Sequence, residues 1–161
     1  MRAALLIVLL LLGASAMSAG EPPQLGLGQV RVFVPPVVVF DVPDVTTETL
    51  SGAPVTVSFD TAVLGLGQAL RISVRADGDL TIPGGAAIPA SSLSWTTANT
   101  ADGLGINGVL SKTVYTPVYQ STVGATSGRV DLTWRLSPPG GGIRAGTRQA
   151  ALRWRFEAIT P

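Results

Sequence analysis

Past residue 20, apolar and polar positions alternate with a period of two. Val55, Val57 and Phe59 are separated by Thr56 and Ser58, and Leu70, Ile72 and Val74 by Arg71 and Ser73, with Arg75 following. Val130, Leu132, Trp134 and Leu136 alternate with Arg129, Asp131, Thr133 and Arg135. The last run sets Leu152, Trp154 and Phe156 against Arg153, Arg155 and Glu157. Such alternation predicts half-buried antiparallel strands, with one face on a core and one in water. Less regular strand candidates cover 29–34, 37–42, 92–97 and 113–120. Turn signals separate them: Pro35-Pro36, Ser51-Gly52, Asp77-Gly78, Pro83-Gly84-Gly85, Asp102-Gly103, Asn107-Gly108 and Pro138 to Gly142. No stretch of helical length keeps a helical period without Gly or Pro breaking it. The fold class expected is all-β, an antiparallel two-sheet sandwich of immunoglobulin-like type, with a closed barrel as the alternative.

The first 19 residues follow another rule. Arg2 precedes an unbroken apolar run from Ala3 to Leu12, and small residues from Gly13 to Ala19 come after it, with Met17 among them. This is the order of a secretory signal peptide, cleaved after Ala16 or after Ala19. The apolar run is too short for a membrane span, which takes roughly 20 residues. The expected division is therefore 1–19 signal peptide, 20–36 N-terminal arm or strand, and 37–161 β-sandwich domain. The arm carries Val30, Val32 and Val34 between flanking prolines. Such an arm folds onto its own domain or completes the sheet of a neighbouring subunit.

Composition narrows the chemistry. Of 161 residues, 46% are apolar and 13% charged, with 19 glycines and 12 prolines, so the chain is turn-rich but able to build a core. His and Cys are both absent. No Ser-His-Asp triad, cysteine nucleophile, thiolate or imidazole metal site, disulfide framework or cysteine-linked lipid is available. Removing Arg2 from the 11 basic residues leaves ten, which balance the ten acids. A nucleic-acid partner normally needs a basic excess, so none is expected.

The two C-terminal strands share one motif. Leu132-Thr133-Trp134-Arg135-Leu136 and Leu152-Arg153-Trp154-Arg155-Phe156 both read apolar-x-Trp-Arg-apolar. The first runs on into Ser137-Pro138; the second follows Ala145-Gly146-Thr147 and precedes Ile159-Thr160-Pro161. In these last 30 or so residues the chain resembles the WxL domain of bacterial cell-surface proteins, with Phe156 standing where that family has Leu. The resemblance implies a secreted module held non-covalently to peptidoglycan or to another surface protein.

The candidate ligand-binding residues are Arg129, Arg135, Arg153, Arg155, Trp134 and Trp154. By period two, each Trp lies on the apolar face of its strand. There it packs between sheets, needing an acceptor for its N–H, or stacks on a sugar if that face is open. The arginines fall on the opposite faces. If strands 129–136 and 150–157 share a sheet, all four form one surface, interspersed with Asp131 and Glu157. Guanidinium forks suit carboxylates and phosphates, while the plainer reading is a solvated face of cross-strand ion pairs. Trp95 repeats the alternation with Leu93 and is expected in the core. Tyr115 and Tyr119 share a face by spacing, and Pro117 between them signals an edge strand or a bulge.

Catalytic signals are sparse. Asp41/Asp44 and Asp77/Asp79 are the nearest to carboxylate pairs, and all sit beside Gly or Pro in turn-like stretches. Calcium-loop offsets and a Ser-x-x-Lys motif are missing. The expectation is an exported, non-enzymatic surface protein without metal or cofactor, attached to peptidoglycan or a surface partner and carrying no membrane span once its leader is removed. The alternative is a pilus- or coat-type subunit that self-assembles by strand donation from 20–42.

Overall fold

The computed structural model describes residues 30–60, 62–81, 85–139, 143 and 145–161. The expected signal peptide and residues 20–29 of the arm lie outside them. Eleven strands follow in order: β1 (Arg31–Phe33), β2 (Val37–Val42), β3 (Thr49–Leu50), β4 (Val55–Asp60), β5 (Ala69–Ala76), β6 (Leu93–Ala101), β7 (Gly103–Gly105), β8 (Gly108–Val109), β9 (Thr116–Ser121), β10 (Gly128–Leu136) and β11 (Gly146–Ile159). Among the described residues the helical content is one 3₁₀ turn, Ala90–Ser92.

The strands form two antiparallel sheets packed face to face, the sandwich that the alternation predicts. One sheet runs β1-β4-β10-β6-β8, with β3 also on β10; the other runs β2-β11-β5-β9-β7. From β4 to β11 each strand lies in the sheet opposite its predecessor. Both flanks are laced by broken strands. On one side β1 pairs with β4, the chain kinks at Pro35-Pro36, and β2 then pairs with β11 in the other sheet. On the other side β7 pairs with β9 and β8 with β6. Residues 31–33 and 37–42 thus complete this chain's own sheets.

Period two fixes what is inside. β2 buries Val38, Phe40 and Val42, and β10 buries Val130, Leu132, Trp134 and Leu136. Trp95 and Trp134 are cross-strand partners with ring centroids 5.1 Å apart at 56°. Such a tilted pair contributes about 0.5–1.5 kcal/mol beyond its area. Both rings are fully buried, as expected for Trp95; for Trp134 burial selects packing between the sheets over stacking on a sugar.

Irregularities re-aim particular side chains. Between β10 and β6 the register shifts between Arg129 and Asp131, and Asn99 there takes a left-handed φ of 47°. Asn is among the side chains that tolerate this conformation. A second bulge, opposite Ile72/Ser73, falls at Pro117–Tyr119, where the proline signalled one. It turns both Val118 and Tyr119 inward. The shared face expected for Tyr115 and Tyr119 is lost: Tyr119 is buried, while Tyr115 reaches the outer surface beside Arg75 and Arg155.

Candidate functional site

The expected four-arginine surface does not form, because β10 and β11 lie in different sheets. Arg129 and Arg135 project from the outer face of the six-stranded sheet, and Arg153 and Arg155 from the outer face of the five-stranded one. Sandwich outer faces point away from each other. On the first face, Arg135 Nη1 donates to Glu48 Oε1 at 3.1 Å. Asp131 accepts from the Thr56 hydroxyl at 2.7 Å and from Asn99 Nδ2 at 2.8 Å, and these bonds hold its carboxyl below the usual range. Arg129 is exposed there.

On the second face a different set gathers. The register places Arg153 opposite Arg75, Arg155 opposite Ser73 and Glu157 opposite Arg71. Odd-numbered residues of β5 and β11 face outward together, so Arg71, Arg75, Arg153 and Arg155 share one surface. Their guanidinium carbons approach an aromatic neighbour as well: Cζ of Arg155 lies 4.7 Å and Cζ of Arg75 5.2 Å from the Tyr115 ring centroid. Both distances are within cation–π range. Against four arginines stand two acids. Arg153 Nε meets Asp77 Oδ1 at 2.6 Å, and Arg155 Nη2 meets Glu157 Oε2 at 3.1 Å. Hydrogen bonding from Arg153, helped by its charge and that of Arg75, holds the Asp77 carboxyl below its ordinary value, and raises Arg153 in turn. Arg71 Nη2 reaches Gln120 Oε1 at 3.4 Å, and Arg75 Nη1 donates to Lys112 O at 3.1 Å. Around these four arginines, among the described residues, the local excess of two cations offers an anion charge attraction, fork-shaped donors and a ring edge.

The tryptophans divide. Trp134 is fully buried, and its Nε1 has no acceptor among the described residues. Trp154 is half-buried and donates Nε1 to Pro35 O at 2.7 Å, which pins the kink between β1 and β2. Trp134 therefore has no face open to a sugar. Sequence reasoning missed Arg71, Arg75 and Tyr115 as site members. The first two carried the same outward signal as Arg153 and Arg155, but the neighbourhood of β5 and β11 is a tertiary fact.

Asp79 and Asp44 are held in local bonds. Asp79 bonds Lys112 Nζ at 2.7 Å and the Ala90 N–H at 3.0 Å, and both interactions lower its carboxyl. Asp44 accepts from the N–H and hydroxyl of Thr46, a turn-forming pattern. No group of three or more acidic side chains gathers as a metal site among the described residues. The hollow lined by Asp79, Pro89, Ala90, Ser111 and Lys112 holds about 220 Å³, below the roughly 300–1,000 Å³ of small-molecule pockets. Among the described residues no helix is long and apolar enough to cross a membrane. Compared with protein-family models, with curated proteins and with solved structures, the chain matches none. The likeness to WxL domains therefore rests on the two Trp-centred strands.

Proposed function

We propose that this is an exported, non-enzymatic cell-surface protein, a WxL-like module attached non-covalently to the cell wall or to a surface partner. The gripping surface is the outer face of the five-stranded sheet. The observation that carries this reading is the convergence of Arg71, Arg75, Arg153 and Arg155, with Tyr115, on that face. Carboxylates of wall stem peptides, or phosphates of wall polymers, supply the complementary charge. The leader-like residues 1–19 support export, and the paired Trp strands support the WxL likeness. A coat or pilus subunit joined by strand donation would need a donor other than 31–33 and 37–42, which lie in this chain's own sheets.

Pelleting with purified sacculi tests the reading. The protein is expected to pellet with them, and less as salt rises, since exposed charges are screened over about 10 Å at 0.1 M. Arg153→Glu with Arg155→Glu is expected to lower affinity at least about tenfold. One lost charge-assisted contact, worth about 1.5–3 kcal/mol, suffices for that. Equal pelleting by the reversed variant overturns the arginine face as the gripping surface, and no pelleting of the unmodified protein overturns attachment to the wall.

A further inference from the structure

Among the described residues, the β2-side edge of β11 is occupied only over its first half. Its first half pairs with β2, Gly146 opposite Val42 through Ala151 opposite Val37. Its second half pairs on the other side with β5, Leu152 opposite Ala76 through Ile159 opposite Ala69. Two bonds fix which groups point where. Asp77 N donates to Ala151 O on the β5 side, and Leu152 N donates to Pro36 O on the β2 side. Backbone direction alternates along a strand. Trp154, Phe156 and Ala158 therefore aim their N–H and C=O groups into the lane that β2 leaves when the chain turns at Pro35-Pro36 to join the other sheet. Among the described residues no strand pairs with them there. The side chains of Trp154 and Phe156 are only half-buried, although they face inward.

We infer that this vacant edge is a homodimer interface, in which residues 153–159 pair antiparallel with the same residues of a second copy across a two-fold axis at Phe156. Three independent features select that register. Pro36 fills the lane at Leu152 and β11 ends at Ile159, so the free window is 153–159 and its middle residue is Phe156. Edge-facing groups occur at even positions, and pairing about Phe156 sets Trp154 against Ala158, Phe156 against itself and Ala158 against Trp154, so every edge group meets another. Charge agrees as well. Arg155 comes opposite Glu157 of the second copy, and Glu157 opposite its Arg155. These are non-hydrogen-bonded positions, where Cα atoms approach to about 4.5 Å and side chains are closest. Moving the axis to residue 155 sets Arg155 against Arg155, and moving it to 157 sets Glu157 against Glu157. Both are penalised, since like charges directly opposite destabilise a strand pair. In the free chain Arg155 and Glu157 hold each other at 3.1 Å, and the dimer exchanges these partners. The two five-stranded sheets join edge to edge, and half-exposed aromatic surface is covered.

Sedimentation of the exported product of the full sequence, recovered from the medium or cell surface, tests this independently of wall binding. At about 100 μM the protein is expected to be mainly dimer, as a Kd of about 10 μM would give. Ala158→Pro deletes an N–H that only the second copy uses, and the product should be monomeric with an unchanged β-type spectrum. Arg155→Glu should weaken association about tenfold, and Arg155→Glu with Glu157→Arg should restore it. The chain has no cysteine, so Phe156→Cys should oxidise to a covalent dimer while Trp154→Cys stays uncrosslinked. A monomer at that concentration, dimerisation unaffected by Ala158→Pro, or failure of Phe156→Cys to cross-link overturns the inference.

Discussion

Trp95 donates its indole N–H to Ile106 O at 2.7 Å, while its cross-strand partner Trp134 buries the same group without an acceptor among the described residues. The rings are equally buried, so the difference is chemical. Replacing Trp134 by Phe removes a donor already stripped of water and left unpaired. Replacing Trp95 by Phe removes a made bond and leaves Ile106 O facing a ring edge. Trp95→Phe should therefore cost about 1–2 kcal/mol more than Trp134→Phe, measured by urea unfolding. The alternation placed both rings inside; it carried no information on which N–H would find a partner. That depends on where the segment 103–109 returns along β6.

Strands long enough to show a period were legible: β4, β5, β10 and the second half of β11 fall where the alternation runs, and β2 falls on the less regular candidate 37–42. Strands β3, β7 and β8 are two or three residues long and leave no period to read. Gly108 is instructive. Beside Asn107 it signals a turn, yet it sits in β8 opposite Trp95, where an added Cβ would lie 2.5 Å from Trp95 Cζ2. Its role is close approach of backbone to ring. Gly108→Ala should cost about 1–3 kcal/mol by overpacking. Hydrogen exchange should locate the loss, with faster exchange at the Leu110 N–H, which bonds Leu93 O.

Across the whole molecule, which strands become neighbours was the part hidden from sequence. Consecutive strands usually lie side by side, and on that default β10 and β11 should share a sheet. The chain instead crosses between sheets at each step from β4 onward, so the arginine face combines β11 with β5 and leaves Arg129 and Arg135 on the far side. The bulge at Pro117–Tyr119 buries Tyr119 in the core, its hydroxyl donating to Ala101 O at 2.8 Å. Burial, with the charge of Asp102 adding to it, pushes this phenol up to about 12. The unfolded group ionises near 10, so the fold favours the neutral form. That stabilisation is complete below pH 10 and is lost as pH rises from about 10 towards 12. Denaturant midpoints should fall across that window, and Tyr119→Phe should flatten the fall.

The Pro35-Pro36 kink ties the alignment of one layer to that of the other. In a pleated strand a slip by one residue exchanges every inward side chain for an outward one. Here β1 is matched to β4 and, a few residues on, β2 to β11, with Trp154 fastened to Pro35 between them. A misaligned start in either layer is thus carried across the fold and must be wrong twice. The proline pair serves the polypeptide as a proofreading joint.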